Sequence, residues 1–300
     1  MSRNQTPPML HLRGLLKDLG GGLTVRRLLP SLQLRAVGPF VFFDHFGPVT
    51  VTPDSRIDVR PHPHIGLATV TYLLEGAMQH RDSLGNDQRI EPGAINWMSA
   101  GRGIVHSERR PEAWAEKTYV NHGLQLWAAL PLANEQDEPH FSHTSAKDIP
   151  VLQIDTAQVR VLLGQGWGHE SPVATSIDAV LWDIELKAGK SLELPPSEHE
   201  LALYTVNAQV NLDRELVQTQ TLVPLSPRTT PHFVQATDAP ARCIVLGGAP
   251  LDAPRHLWWN FVASDKAMIE QAAQRWEDNG FGRVAGDDER IPLPGRYLRR

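Results

Sequence analysis

Residues 61–76 read PHPHIGLATVTYLLEG, and this segment has the composition of a β-strand with a proline-rich entry. Residues 67–74 are mostly apolar or β-branched, and the Glu75-Gly76 pair that follows is typical of a turn. Pro61 and Pro63 exclude a helix here and favour the start or the edge of a strand. The segment therefore predicts a β-sheet in which a strand begins beside two histidines.

Short apolar segments of the same kind recur along the chain at spacings of roughly ten residues, with turns between them. The predicted strands cover residues 67–74, 94–98, 123–130, 159–164, 179–186, 201–212 and 242–246. Within residues 179–186 every second side chain from Val180 to Leu186 is apolar, so these side chains are expected to share one sheet face. Many short strands with regular turns predict a sandwich or a barrel.

The chain length of 300 residues favours two domains. Residues 132–150 are polar and poor in large apolar side chains, which is typical of a linker. We place the boundary in this run, with an N-terminal domain over residues 1–140 and a C-terminal domain over residues 141–300. The alternative is that the run forms a long functional loop.

One helix is predicted near the C-terminus. Ser264 is the expected N-cap, with Asp265 in the first turn. Apolar residues then recur at helical spacing, and Asn279-Gly280 is expected to end the helix. These apolar residues are Met268, Ile269, Ala272, Ala273 and Trp276. The stripe predicts that the helix packs one face against the core.

The composition is that of a folded protein with a sizeable core, because 41% of the residues are hydrophobic and 21% are charged. The net charge of −5 argues against direct contact with nucleic acid. The single cysteine, Cys243, excludes an internal disulfide and favours a reducing compartment. The N-terminus does not resemble a signal peptide, and no apolar stretch approaches the length of about 18 residues that a membrane span needs. We therefore expect a soluble, cytoplasmic protein without a membrane segment.

Two pairs of potential metal ligands occur at the spacing i and i+2, namely His62 with His64 and His106 with Glu108. Side chains at this spacing share one face of a β-strand, whereas in an α-helix they point in nearly opposite directions. A barrel can bring two such strands side by side, so that three imidazoles and one carboxylate meet at one point. The alternative is that these histidines lie at the surface or in the core without a metal.

This donor set suits one divalent ion, and Fe(II), Mn, Co, Ni, Cu and Zn are all compatible with it. Four protein ligands leave two positions open on an octahedral ion. Open positions admit exogenous ligands, so they favour catalysis or sensing over a closed structural site.

Several segments of the chain resemble the pirin family, a branch of the cupin superfamily. The resemblance is dense from about residue 40 to residue 131 and sparser afterwards. It rests on residues 43–48, 61–66, 69–72, 75–76, 80–83, 85–86, 92–93, 97–98, 100–108 and 123–127, with weaker similarity at residues 247–251.

The resemblance implies a bicupin, an all-β protein with two cupin β-barrels and a C-terminal helix. In this family iron is held in the N-terminal barrel by residues that match His62, His64, His106 and Glu108. The C-terminal barrel is expected to lack a metal, because neither His199 nor His232 has a histidine two residues later. Fe(II) is the ion that the resemblance favours.

Some pirins are similar to quercetin 2,3-dioxygenases, which implies a metal-dependent enzyme that opens a flavonol ring with O2 and releases carbon monoxide. In this interpretation the substrate is a small aromatic molecule and Glu108 is the catalytic base. The alternative is an iron-binding, redox-sensing regulatory protein that binds a transcription factor or a metabolic enzyme. The family resemblance favours a monomer.

Four further residues are candidates for the surroundings of the metal. Asp44 and His45 belong to one of the family segments, and they are expected either to orient a ligand imidazole or to stabilise a turn. Gln125 lies on an apolar strand and is expected either to face the pocket or to be a satisfied buried amide. Met98 is a candidate for the pocket wall.

Overall fold

The computed structural model describes residues 9–20 and 22–295, and it confirms an all-β protein with two cupin barrels and one α-helix near the C-terminus. Within these residues no helix has both the length and the apolar character that crossing a membrane requires. Most strands are short, as the turn spacing predicts, although Phe40–Val51 and Tyr119–Ala129 have 12 and 11 residues.

The N-terminal barrel consists of a seven-stranded and a four-stranded antiparallel sheet. Its strands are β1 (Leu15–Asp18), β2 (Thr24–Leu29), β3 (Phe40–Val51), β4 (Val59–His64), β5 (Leu67–Glu75), β6 (Met78–Asp82), β7 (Asp87–Ile90), β8 (Ile95–Ser99), β9 (Ile104–Arg109), β10 (Tyr119–Ala129) and β11 (His140–Thr144). The larger sheet has the order β1-β2-β3-β10-β5-β8-β11, and the smaller sheet has the order β4-β9-β6-β7. A 3₁₀-helix, Glu112–Trp114, connects β9 and β10. The proposed domain boundary between residues 140 and 141 falls at the start of β11, which pairs with β8.

The C-terminal barrel consists of a six-stranded and a four-stranded sheet, with one small hairpin beside them. Its strands are β12 (Val151–Ile154), β13 (Ala157–Leu163), β14 (Gln165–Gly166), β15 (His169–Glu170), β16 (Ala179–Leu186), β17 (Ser191–Leu194), β18 (Glu200–Thr205), β19 (Val210–Leu212), β20 (Glu215–Val217), β21 (Leu222–Leu225), β22 (His232–Ala236) and β23 (Ala241–Gly248). The orders are β12-β13-β16-β23-β18-β21 and β17-β22-β19-β20. A second hairpin, β24 (His256–Trp258) and β25 (Phe261–Ala263), packs against β4 and β5 of the N-terminal barrel.

The predicted strand over residues 201–212 is wrong as a single element. The structure divides it into β18 and β19, which belong to different sheets. Residues 206–209 carry the chain from one sheet of the barrel to the other, and the Asn207 side chain accepts a hydrogen bond from the Arg242 main-chain amide there. Hydrophobic patterning continues across this corner because both strands line the same barrel interior.

Alternate side chains of β16 point into two different hydrophobic cores. Trp182, Ile184 and Leu186 point into the interior of the C-terminal barrel, which is filled with apolar side chains. Leu181 points the other way, into a second core where the larger sheets of the two barrels pack against each other. The expected apolar face is confirmed, since Val180 packs against the same core, and Leu181 buries part of the opposite face as well.

The helix α1, Lys266–Glu277, buries the predicted apolar stripe except for half-buried Met268. The predicted N-cap is wrong by one residue: the Asp265 carboxylate accepts a hydrogen bond from the Ala267 amide. The Ser264 hydroxyl instead donates to the Glu135 carboxylate. Asn279 adopts a left-handed conformation with φ of 57° just beyond the helix, as its expected role at the C-terminus requires.

A buried polar cluster joins the two barrels across the shared core. The Tyr72 hydroxyl of the N-terminal barrel donates to the Asp183 carboxylate of the C-terminal barrel at 2.5 Å. The same carboxylate accepts two hydrogen bonds from the Arg242 guanidinium, at 2.8 and 2.5 Å. Although burial opposes the charge on Arg242, Asp183 raises the pKa of the guanidinium.

Replacing Asp183 with alanine is expected to lower the free energy of unfolding by about 3 kcal/mol, because it leaves the partly buried Arg242 charge without its main partner and the buried Tyr72 hydroxyl without its acceptor. Urea unfolding measures the change. Glu185→Ala is the matched control: Glu185 also faces Arg242, at 3.5 Å, but it is exposed and should cost less than about 1 kcal/mol. Equal losses in the two variants would contradict the structural role of the cluster.

Candidate metal centre

The two histidine motifs meet because β4 and β9 are antiparallel neighbours. His62 lies directly opposite His106, and His64 lies opposite Ile104. One ring nitrogen from each of His62, His64 and His106 lies within 4.8 Å of the others. The side chains of residues i and i+2 on β4 thus reach the same point, as strand geometry requires.

Main-chain carbonyl groups fix the orientation of two of these rings. Nδ1 of His62 is 2.9 Å from the carbonyl oxygen of Arg60, and Nδ1 of His64 is 3.0 Å from that of Asn260. A carbonyl oxygen only accepts, so each Nδ1 carries the hydrogen in the neutral ring. Each Nε2 therefore keeps its lone pair.

Burial keeps all three rings neutral. It lowers the pKa of His62 to about 4, although the hydrogen bond to the Arg60 carbonyl acts in the opposite direction. The pKa values of His64 and His106 also lie well below the usual value, chiefly because of burial and secondly because of His62. Neutral imidazole is the form that binds metal ions.

The triad fits a divalent metal ion. Nε2 of His64 lies 3.1 Å from Nε2 of His106, and two lone pairs at this separation repel unless a proton or a cation lies between them. Imidazole nitrogen is a suitable ligand for Fe, Ni, Cu and Zn. A cupin barrel with this triad is therefore suited to metal binding.

Glu108 lies two residues beyond His106 on β9, and its side chain is buried. It lines the same cavity as His62 and His64 but stands outside the group of three imidazoles. Its Oε1 is 3.2 Å from the Thr71 hydroxyl, which can donate a hydrogen bond to it. Burial raises the pKa of Glu108, although the hydrogen bond from Thr71 acts in the opposite direction.

A cavity of about 550 Å³ adjoins the triad. Its wall includes Phe42 and Trp127, whose rings stack at 3.8 Å, and Trp127 in turn packs edge-to-face against His64. Phe46 and Trp259 also line it. This volume lies within the range of about 300–1,000 Å³ that is usual for small-molecule sites.

Asp44 and Gln125 both line this cavity, but neither touches an imidazole of the triad through the hydrogen bonds found. Both carboxylate oxygens of Asp44 accept from Arg27, at 2.9 and 2.8 Å. Burial raises the pKa of Asp44 against the opposing effect of Arg27. Gln125 Oε1 is 3.0 Å from the same Thr71 hydroxyl that faces Glu108.

Met98 and His45 lie elsewhere. Met98 is buried in a small cluster with Ala100 and Ile104, outside the residues that line the cavity. His45 lies in the junction between the barrels. Its Nδ1 is 2.6 Å from the Tyr204 hydroxyl, and its Nε2 is 2.6 Å from Nε2 of His122.

Below a pH of about 6.5, His45 is expected to make the protein less stable. Burial, assisted by His122 and Arg26, lowers its pKa to about 3 from an ordinary value of 6.5. The folded protein therefore resists a proton that the unfolded chain accepts, and stability is lost as the pH falls from 6.5 towards 3. The loss attributable to one histidine is at most about 1.4 kcal/mol per pH unit.

Unfolding free energies of the native protein and of His45→Asn, measured at several pH values between 4.5 and 7, test this expectation. The variant should show the shallower dependence on pH below 6.5. Parallel pH profiles would contradict the assignment.

The sequence analysis did not predict that the C-terminal part of the chain contributes groups to the metal centre and its cavity. The Asn260 carbonyl that orients His64 is a main-chain group, so the sequence carries no signal for it. Ile291 lines the cavity, and its amide donates to the Pro61 carbonyl at 2.8 Å. Close by in the chain, the Asp287 carboxylate accepts two hydrogen bonds from Arg109 of β9, at 2.9 and 2.7 Å, which hold the segment around Ile291 against the N-terminal barrel.

Comparison with known proteins gives a consistent result. Residues 22–128 match the Pirin family, and residues 181–282 match the Pirin C-terminal cupin domain. A pirin-like protein from Caulobacter vibrioides is 41% identical over 288 residues, which cover 93% of this chain and 96% of that protein.

Solved structures agree with this match. The crystal structure of quercetin 2,3-dioxygenase from Acinetobacter baumannii aligns with a TM-score of 0.88 and 32% identity, covering 97% of this chain and 95% of that one. The bacterial pirin YhhW from Escherichia coli, in complex with nickel(II), aligns with a TM-score of 0.62 over 81% of this chain and 100% of that one. At 16% identity the second likeness shows the fold alone.

Proposed function

This chain belongs to the pirin family, and we propose that it is a metal-dependent dioxygenase that opens the ring of a flavonol, as a quercetin 2,3-dioxygenase does. The observation that carries the proposal is the buried triad of imidazoles beside an aromatic-walled cavity. The likeness to the quercetin 2,3-dioxygenase from Acinetobacter baumannii over nearly the whole chain supports it.

We propose that His62, His64, His106 and Glu108 hold one divalent ion, and that this ion is Fe(II). Three imidazoles with one carboxylate suit iron, although Mn, Co, Ni, Cu and Zn are also compatible with such ligands. The nickel(II) complex of YhhW supports a divalent first-row metal in a protein of this fold. Glu108 lies two residues beyond His106 on the same strand and lines the same cavity as His62 and His64, which supports its assignment as the fourth ligand.

The cavity favours a flat aromatic substrate together with O2. Planar rings pack well against aromatic side chains, and Phe42, Trp127 and Trp259 supply such surfaces. Gln125 and Asn121 provide polar groups on the wall that can orient hydroxyl and carbonyl oxygens.

Glu108 supplies the base for the reaction. A divalent ion held by these residues would supply positive charge that lowers the pKa of a nearby substrate hydroxyl group. The Glu108 carboxylate accepts the proton of the flavonol 3-hydroxyl, since it is buried and lines the cavity beside the triad. The substrate then takes up both atoms of O2, and its central ring opens with release of one molecule of carbon monoxide.

An aerobic assay with quercetin tests the proposal. Protein loaded with Fe(II) should remove the flavonol absorbance and consume an equal amount of O2, whereas the metal-free protein should not. Loss of absorbance without O2 uptake would indicate a different reaction. No metal-dependent loss would remove the proposed activity and would favour the regulatory alternative.

A further inference from the structure

A histidine and an aspartate that the proposed reaction does not use lie directly behind His106. His80 is on β6, the neighbour of β9, and His106 lies opposite Asp82 in the register of these strands. Nδ1 of His80 is 3.3 Å from Nδ1 of His106, and Nε2 of His80 is 2.9 Å from Oδ2 of Asp82. The side chains of His80 and Asp82 are 5% and 0% exposed, so water does not compete for these contacts.

The Asp82 carboxylate is held rigidly at the end of this chain of contacts. Its Oδ1 accepts hydrogen bonds from the main-chain amides of Leu84 and Asn86, at 2.9 and 3.1 Å. The Asn86 side chain donates to both carboxylate oxygens, at 3.0 and 2.9 Å. Burial alone would raise the pKa of Asp82, but the hydrogen bonds from His80 and Asn86 lower it, so Asp82 stays ionised.

The ionised carboxylate determines where each proton lies. A carboxylate only accepts, so Nε2 of His80 carries a hydrogen, and in the neutral ring Nδ1 of His80 is then an acceptor. A metal ion bound at Nε2 of His106 requires the ring hydrogen to be on Nδ1, so in the metal-binding form Nδ1 of His106 donates to Nδ1 of the neutral His80 ring. This leaves the lone pair on Nε2 of His106, the atom that faces His64.

The ring of His80 is also fixed in place. It stacks on Phe141 of β11, with ring centroids 4.2 Å apart and an angle of 8° between the planes. His80 therefore presents its Nδ1 to His106 in one orientation. His62 and His64 differ from His106, because main-chain carbonyls hold their Nδ1 atoms.

We propose that His80 is a positioning residue for the metal centre, and that the chain Asp82–His80–His106 holds His106 in the tautomer and orientation that binds the ion. The inference rests on the metal centre proposed above. Residues that hold a metal-binding histidine in this way typically change metal affinity by about 10–100-fold when they are replaced.

Co(II) binding tests the inference, because its dissociation constant can be measured by competition with a chromophoric chelator and its visible absorption reports the ligand geometry. His80→Phe keeps an aromatic ring to stack on Phe141 but removes the acceptor, and it should weaken Co(II) binding by about 10–100-fold and change the spectrum. His80→Asn places an amide oxygen near the position of Nδ1, and it should recover a large part of the affinity.

The matched control is His143→Phe, since His143 lies in the same barrel on β11 and contacts Asn96 rather than the triad. It should bind Co(II) as the native protein does. Should His80→Phe fail to fold, His80→Gln replaces it, because its amide nitrogen stands near Nε2 and leaves nothing to accept the His106 proton.

Native affinity and a native spectrum in His80→Phe, or in its substitute His80→Gln, would overturn the inference. So would equal weakening in His80→Phe and His80→Asn, since the acceptor would then not matter. Failure of the native protein to bind Co(II) would instead contradict the proposed metal centre itself.

Discussion

Replacing His106 with alanine should remove both the bound metal and the dioxygenase activity. His106 is the one member of the triad that lies on β9, and its Nε2 is 3.1 Å from that of His64. Its loss leaves the two imidazoles from β4 and the Glu108 carboxylate, and it opens the side of the site that faces β9. We expect the metal dissociation constant to rise by more than about 100-fold, beyond the range seen for residues that merely support a ligand.

Metal content after dialysis and quercetin turnover at saturating Fe(II) measure the two effects. The control is His169→Ala, because His169 is an exposed histidine on β15 of the other barrel and should leave both quantities unchanged. A His106→Ala protein that retains its metal and its turnover would show that the triad is not the centre.

Replacing Glu108 with glutamine should lower quercetin turnover by about 100–10,000-fold, the usual contribution of a general base. Glutamine preserves the shape of the side chain and its contact with Thr71, but it cannot take a proton. The measurement is turnover at saturating metal, so that any weaker binding of the ion does not enter the result. Metal content measured alongside shows separately whether Glu108 also serves as a ligand.

Glu193→Gln is the matched control, since Glu193 is exposed on β17 of the C-terminal barrel. It should turn over quercetin at the native rate. Full activity in Glu108→Gln would remove the assignment of Glu108 as the base, whatever its effect on metal content.

The architecture could be predicted from the sequence where local pattern and burial coincide. The alternation in residues 179–186 and the apolar run in residues 67–74 both became strands, because each fits a sheet that is buried on at least one face. The corner at residues 206–209 could not be predicted, since its flanking strands share one interior and the hydrophobic pattern does not change there. The N-cap moved from Ser264 to Asp265 because Glu135, distant in sequence, binds the serine.

The triad was accessible to sequence reasoning because the spacing of His62 and His64 is useful only on a strand. The groups that orient the three imidazoles could not be predicted from the sequence. The Asn260 carbonyl has no signature in the sequence, and His80 is 26 positions from His106 along the chain. His80 and Asp82 are again spaced at i and i+2, and both lie in a segment that resembles the family. Only the pairing of β6 with β9 shows that His80 contacts His106.

The most direct test of the metal centre is anomalous X-ray diffraction from crystals of the Fe(II)-loaded protein, recorded at the iron absorption edge. We expect a single strong peak among His62, His64 and His106, about 2.0–2.2 Å from each Nε2, a distance usual for metal–imidazole bonds. No peak at this position, or a peak held by other residues, would contradict the assignment of the triad.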